Sequence, residues 1–343
     1  MNNRLGLLFD ERYLRHKTVK RSLENPERIR SLNETVQHRY DGRFAVFTPR
    51  EASREEVEAV HSRFYLDQIR EHAANPDPYS YDPDTYLMEE SLYIAGLAAG
   101  GCLTLADEIL SGNIDCGYAL VRPPGHHAEA GRGMGFCVMN NVGITANYLR
   151  SKYQLHRILV LDFDVHHGNG TQDIFYETDE VLFVSLHQRD LFPSTGKTRE
   201  TGRDAGSGYT FNIEVHPQFG DSEYIYLVGR LLQGIVEQYM PQIILVSAGY
   251  DGHRDDPISA TSLTTGWYGT VATMLQQYAA EVCDGRLLFV LEGGYNPEAL
   301  QDGVLATLDS LLAPRISRVG VPYSERADVV LRDHPLKNRW NIL

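Results

Sequence analysis

Eight short apolar runs of β type begin near Leu5, Phe44, Tyr118, Arg157, Val181, Tyr209, Gln242 and Arg286, with stretches of helical periodicity between them. That alternation limits the fold more than any other feature. Strands joined through helices pair in parallel, and a parallel sheet has to be covered on both faces. Leu92 to Leu110 is apolar at three- and four-residue spacing, with Gly112 just beyond it as a stop. Ser222 to Tyr239 and Leu263 to Val282 repeat the pattern. The expectation is one α/β domain, with about eight mostly parallel strands and helices on both faces. Two connections are long, Ala74 to Tyr86 and Gln188 to Gly208. Loops of that length in a compact domain usually serve function, so both are expected to rim a site.

Four of the runs end in chemistry. Leu161 to Gly170 reads LDFDVHHGNG, so two carboxylates and two imidazoles follow a buried run. Asp162, Asp164 and His166 alternate, and on a strand all three side chains point to one side. Buried carboxylates and imidazoles are costly without a partner, and oxygen and nitrogen donors suit zinc. Alone, Asp-x-His at a strand end is a weak signal, more often a surface loop or a hydrogen-bonded end. Three further segments strengthen it. Tyr118 to His127, YALVRPPGHH, turns at Pro123-Pro124-Gly125 and presents His126 and His127. The prolines fix φ and the glycine permits positive φ, so the turn aims both rings. Gln242 to Gly252 offers Asp251, which on its own reads as a turn residue or helix cap. Arg286 to Tyr295 ends in Gly293-Gly294, which swings Tyr295 outward; a tyrosine there is more often a packing residue.

Together these form a constellation at the carboxyl edge of an α/β sheet, where sites are built. Asp164, His166 and Asp251 supply three metal ligands and leave zinc an open position. Two histidines can handle protons, and a tyrosine hydroxyl can donate to an oxyanion. The parts point to metal-assisted hydrolysis of an amide or ester.

The chain resembles the zinc-dependent histone deacetylases and their bacterial relatives, including acetylpolyamine amidohydrolases. The resemblance runs from NPER at Asn25 to about Asn296. It rests on RPPGHHAEAGRGMGFCVMNN (Arg122 to Asn141), LDFDVHHGNGTQ (Leu161 to Gln172), SAGYDGHRDDP (Ser247 to Pro257) and LEGGY (Leu291 to Tyr295). It implies the arginase/deacetylase-like fold, with residues 1–313 as catalytic domain and 314–343 as a C-terminal extension. It implies zinc on Asp164, His166 and Asp251, with Asp162 behind His126. His127 is implied as general base and later acid, and Tyr295 as oxyanion donor. Asn169, with GNGTQ, resembles the class II branch, in which a neutral amide orients His127. A structural potassium ion is implied on backbone oxygens of Asp162, Asp164, His166 and Leu186 with the Ser185 hydroxyl. A second would use carbonyls near Phe175, Thr178, Val181 and Tyr209. Gly135, Phe136, Phe192, Ile258 and Gly294 match an acyl-lysine channel, although Phe136 reads equally well as core. Arg28 matches an arginine near the acetate exit. Asp84 matches a residue that grips substrate backbone, with Asp82 as its rival.

The implied reaction removes acetyl, or another short acyl group, from the ε-amine of lysine in proteins or peptides. An acetylated polyamine is the alternative substrate. Ile258 lacks the charge that polyamine-selective members place there, and no long early insertion stands between Asp10 and Pro26. A non-catalytic acyl-lysine binding module is opposed by Tyr295 and both histidines. An arginase-type dinuclear manganese hydrolase would want an aspartate where Gly168 stands.

Composition agrees. The 343 residues are 42% hydrophobic, enough for a sizeable core, and the net charge of −14 argues against nucleic acid. Cys102, Cys116, Cys137 and Cys283 form no C-x-x-C pair and read as reduced thiols in a cytoplasmic protein, with Cys137 expected near the site. The N-terminus has no signal-like apolar core, and no run approaches a membrane span. The segment after Pro314 either packs on the body, reaches a neighbouring subunit in an oligomer, or trails as a partly ordered tail.

Overall fold

The computed structural model describes residues 4–17, 22–74, 79–314 and 318–343. Its strands are β1 (Leu5–Leu8), β2 (Ala45–Phe47), β3 (Tyr79–Ser80), β4 (Tyr86–Leu87), β5 (Cys116–Ala119), β6 (Ile158–Asp162), β7 (Val181–Gln188), β8 (Thr210–Val215), β9 (Ile243–Ala248) and β10 (Leu287–Leu291). Its α-helices are α1 (Glu27–Arg39), α2 (Arg54–Glu58), α3 (Arg63–Ala73), α4 (Ser91–Leu110), α5 (Asn141–Tyr153), α6 (Asn169–Phe175), α7 (Asp221–Tyr239), α8 (Thr265–Val282), α9 (Pro297–Leu312) and α10 (Glu325–Asp333). All eight runs read from the sequence form strands of one sheet, in the order β2-β1-β5-β10-β9-β6-β7-β8. Every neighbouring pair is parallel rather than only most.

The central strands show why. β6 (ILVLD), β9 (IILVSA) and β10 (LLFVL) are buried along their whole length, as strands covered on both faces must be. α4 and α5 pack together and touch β10 and β9; α8 packs with α7 and α9 and touches the same two strands. α4 stops where Gly112 takes φ +73, a conformation that favours glycine. By length and composition α4 is apolar enough to cross a membrane, contrary to the sequence reading, but most of it lies inside the domain. Gly100 explains how closely it packs. A Cβ there would stand 2.1 Å from the Arg50 carbonyl oxygen.

The first long connection is not structureless. β3 and β4 form an antiparallel hairpin whose turn is tied by Asp82, with Oδ1 accepting the Asp84 and Thr85 N–H groups at 2.9 and 2.7 Å. Residues 75–78 lie outside the described residues. The second long connection contains a single 3₁₀ turn, Asp204–Gly206. The end of the chain packs on the body. α10 lies against α7 and β8, and Trp340 and Ile342 are buried in the main core. All four cysteines are buried, and none is joined to another by a disulfide.

Candidate active site

Ala119, Val290, Ser247, Asp162 and Ser185 stand in one row across β5, β10, β9, β6 and β7. The chain leaves the sheet at or shortly beyond that row in each case. β5, β10, β9 and β6, which precede the four motifs, are immediate neighbours in the sheet. The strand order therefore delivers His126, Tyr295, Asp251 and Asp164 to one place.

β6 ends at Asp162, so strand alternation does not aim Asp164 and His166. Backbone donors do that work. Asp164 donates its N–H to Asp162 Oδ1 (3.1 Å), and His166 donates its N–H to Asp164 Oδ1 (2.9 Å). Val165 N–H reaches Asp251 Oδ1 (3.0 Å), and Gly293 N–H reaches Asp164 Oδ2 (2.8 Å). His166 Nδ1 then stands 3.0 Å from Asp164 Oδ1 and 3.1 Å from Asp251 Oδ2. One ligand atom from each of the three residues falls within 4.8 Å of the others, and all three are buried. Burial, then the Asp164 charge, pushes the Asp251 carboxyl up to about 7. Burial also opposes charge on Asp164, but His126 and His166 outweigh it and lower its pKa. Burial likewise opposes the His166 imidazolium, yet the two carboxylates raise His166 to about 10. The three groups draw positive charge to one point. Two carboxylates and an imidazole so arranged fit a divalent cation, with a coordination position left open.

The two histidines differ. His126 Nδ1 bonds Asp162 Oδ2 (3.0 Å), and although burial opposes charge, Asp162 and Asp164 raise it to about 10. His127 Nδ1 bonds Asn169 Oδ1 (2.8 Å). Burial, then positive charge on His126 and His166, holds His127 well below the usual range. Gly125 serves this turn differently from expectation. It is not among the residues with positive φ, and instead its missing side chain admits the Asn141 backbone nitrogen, 2.5 Å from where a Cβ would be. Tyr295 is placed by Asp256, whose Oδ2 accepts the Tyr295 N–H at 2.6 Å. Of the two glycines before it, Gly294 needs its φ of +126, while Gly293 is needed because a Cβ would sit 2.2 Å from Asp251 Oδ2.

A pocket of about 560 Å³ opens over these groups. His127, His166 and Tyr295 are in its wall, with Gly135, Phe136 and Phe192 above. Phe192 meets the His127 ring edge to face at 5.1 Å, and Phe136 lies 5.6 Å from the Tyr295 ring. Phe136 thus faces the pocket rather than the core. Both long connections reach the rim, through Asp82, Pro83 and Asp84 and through Leu191 and Phe192; Ile258 also lines it. Asp82 and Asp84 now separate. Both Asp82 oxygens are taken, Oδ2 by Gly135 N–H (3.0 Å) and the Thr85 hydroxyl (3.0 Å). The Asp84 carboxylate accepts no hydrogen bond from the described residues, and burial and Asp82 raise its pKa. Gly294 is absent from the pocket wall; its carbonyl accepts from Arg28 Nε at 2.7 Å behind Tyr295. Arg28 itself lies over the Tyr295 ring, 4.8 Å from its centroid.

The remaining residues singled out from sequence lie beside the cluster or away from it. Ser185 and Leu186 stand on β7 next to β6, and Ser185 Oγ bonds His187 Nδ1 (2.9 Å). Phe175 closes α6, its carbonyl taking the Thr178 N–H (3.3 Å). Val181 opens β7, and the Tyr209 carbonyl takes the Phe183 N–H (2.9 Å). Cys137 is buried just behind Phe136, its thiol on the Gly135 carbonyl.

Several residues escaped the sequence reading. Glu292 Oε2 accepts N–H groups from Gly125 (2.7 Å) and His126 (3.2 Å), while Oε1 has no partner among the described residues and burial pushes the group up to about 7. A glutamate directly after a fully apolar strand was the available signal. Glu24 and Arg122 form a buried pair (2.6 Å) beneath the site, joining segments distant in sequence. Leu23 and Leu191 reach the rim from irregular backbone without any periodic pattern.

The histone deacetylase domain model matches residues 22–311. A probable deacetylase of Archaeoglobus fulgidus is 39% identical over 85% of this chain and 82% of its own. Histone deacetylase 15 of Arabidopsis thaliana is 35% identical over 89% of this chain, but only 56% of its own length is spanned. Among solved structures, the HDA15 HD domain superposes with a TM-score of 0.89 at 31% identity, over 99% of this chain and 97% of that one. The chain belongs to the histone deacetylase family, a family of amide hydrolases.

Proposed function

We propose that this protein is a zinc-dependent deacetylase that removes acetyl, or another short acyl group, from the ε-amine of lysine in peptides or proteins. The observation that carries this reading is the buried Asp164–His166–Asp251 donor set, whose His166 lines the pocket together with His127 and Tyr295. Zinc held by those donors would polarise the amide carbonyl and acidify water. His127 is buried and held neutral, so its Nε2 can take a proton from water as that water adds to the carbonyl carbon. The Tyr295 hydroxyl, kept protonated by burial, donates to the oxygen as it gains charge. When the carbon–nitrogen bond breaks, His127 returns its proton to the leaving amine. His126, held charged against Asp162, adds a fixed positive charge behind the reacting centre. The potassium ions, if structural, would sit beside β6 and β7 and take no part in proton transfer.

The lysine substrate is supported by the rim. Leu23, Leu191, Phe192 and Ile258 make it mostly apolar, and Asp82 is already used inside the protein. Asp84 is left to accept from a substrate backbone N–H. An acetylpolyamine would need carboxylates for its second ammonium, and among the described rim residues Asp84 alone offers one. The expected compartment is cytoplasmic. The test compares kcat/KM for an acetyl-lysine peptide with acetylputrescine and acetylspermidine on the zinc-loaded protein. The peptide should win; a tenfold advantage to either polyamine, about 1.4 kcal/mol in transition-state binding, would reassign the substrate.

A further inference from the structure

We propose that Glu129 is a positioning residue for His127, acting through the Asn169 amide to keep the imidazole proton on Nδ1. This rests on the reading of His127 as the general base. A side-chain amide is nearly symmetric in shape, so its neighbours decide which end is oxygen. Around Asn169 Nδ2 stand three acceptors: Glu129 Oε1 at 2.7 Å, Met134 Sδ at 3.3 Å and the His127 carbonyl at 3.5 Å. A turned amide would press Oδ1 against the glutamate carboxylate and two further acceptors. The carboxylate is the strongest acceptor of the three, because a hydrogen bond to an ionised group is about twice as strong as a neutral one.

With Nδ2 fixed on Glu129, Oδ1 has to face His127 Nδ1, 2.8 Å away. An acceptor there requires Nδ1 to carry hydrogen. The lone pair of a neutral His127 is then on Nε2, the nitrogen that must receive a proton. An aspartate at position 169 would present oxygen whichever way it turned; an asparagine needs something behind it. Glu129 is suited to that task because its backbone is tied on both sides. Its N–H donates to the Arg132 carbonyl (2.9 Å), and its own carbonyl bonds His61 Nδ1 (2.9 Å).

The experiment uses the zinc-loaded protein with ¹⁵N-labelled histidine, the His127 ring being identified by its loss in H127A. The ring should carry hydrogen on Nδ1 in the parent and in Glu129→Gln, whose side-chain carbonyl still accepts. Glu129→Lys places a donor against the amide, turns it, and should move the hydrogen to Nε2. Turnover should fall roughly tenfold in Glu129→Ala and roughly 10²-fold in Glu129→Lys with KM little changed, while Glu129→Gln restores most of it. In an Asn169→Asp background, where no orientation is needed, Glu129→Ala should cost no further activity. That arm answers the question even if the lysine variant fails to fold. An Nε2–H ring in the parent protein, or an Nδ1–H ring with undiminished turnover in Glu129→Lys, would overturn the proposal. Full turnover in H127A would instead sink the general-base reading, and the ring tautomer would still decide the role of Glu129.

Discussion

At the scale of single residues, the site is held by atoms that are missing as much as by atoms present. Gly293 brings its N–H within 2.8 Å of Asp164 Oδ2 while leaving room for Asp251 Oδ2, which a Cβ would meet at 2.2 Å. Gly293→Ala should therefore cost metal occupancy in a folded protein, measured by elemental analysis beside circular dichroism. Full occupancy would show that the carboxylates can yield. Asp251→Asn removes a carboxylate of the proposed donor set outright and should lose metal more completely. Tyr295→Phe tests a different function. It deletes the proposed oxyanion donor and almost no volume, so turnover should drop roughly 10²–10³-fold while binding of a substrate-like ligand weakens less. Turnover near that of the parent would remove Tyr295 from the reaction. These residues could be singled out in the sequence because each proposed metal ligand or proton carrier follows an apolar run, where a polar group needs a reason. Glu129 was not legible. It sits in HHAEAG with no pattern to mark it, and its importance depends on which end of Asn169 faces it.

At the scale of elements, the sequence revealed the strands but not what the loops between them do. Eight apolar runs separated by helices dictate a parallel sheet, and four polar strand ends dictate a site at one edge. The hairpin β3–β4 stayed hidden because two-residue strands carry no readable period. Its function is nevertheless specific. Asp82 Oδ2 accepts Gly135 N–H (3.0 Å), and buried Thr85 Oγ1 accepts Phe136 N–H (2.9 Å). Gly135 and Phe136 have φ of +54 and +68, and Phe136 pays a steric cost there that glycine would not. The hairpin is a clamp on the pocket wall. Thr85→Val keeps the shape and removes the acceptor, leaving a polar N–H without its partner at about 1–3 kcal/mol. The expected result is a several-fold rise in KM for an acyl-lysine peptide with kcat much less affected, the reverse of Tyr295→Phe. An unchanged KM in both Thr85→Val and Asp82→Ala would mean that the wall holds its shape alone.

At the scale of the whole molecule, the chain closes its sheet with its own end. β8 is the last strand, and an edge strand presents unpaired backbone groups. The sequence left the fate of residues after Pro314 open, because a short amphipathic helix and a few aromatics do not say which surface they cover. The structure puts Trp340 Nε1 on the Gly208 carbonyl (2.9 Å) and stacks His334 on Phe211, with ring centroids 3.8 Å apart. His334 Nε2 donates to the Asn212 carbonyl on β8 (3.2 Å), and its Nδ1 accepts the Leu336 N–H (3.1 Å). Both nitrogens are thus used in the neutral ring, and a second proton would have to displace the Leu336 bond. Burial, only partly offset by the Asn212 carbonyl, lowers His334 to about 4. In the unfolded chain it titrates near the ordinary value of about 6.5. The unfolded state therefore binds the proton first, so this contribution is complete above about pH 6.5 and is lost as pH falls toward 4. At pH 4.5 the loss should reach about 2–3 kcal/mol. Burial also lowers His16, His61 and His187, which act in the same direction, while His126 and His166 are raised and act in the opposite one, so the informative quantity is a difference. His334→Gln should be less stable than the parent in urea at pH 7.5, and that gap should shrink at pH 4.5. In the parent, the protection of α10 amides, taken relative to the intrinsic exchange rate at each pH, should fall over the same interval ahead of that of β6 and β9. A gap of equal size at both pH values would show that the ring holds the tail by packing alone and that its protonation has no part in securing the edge.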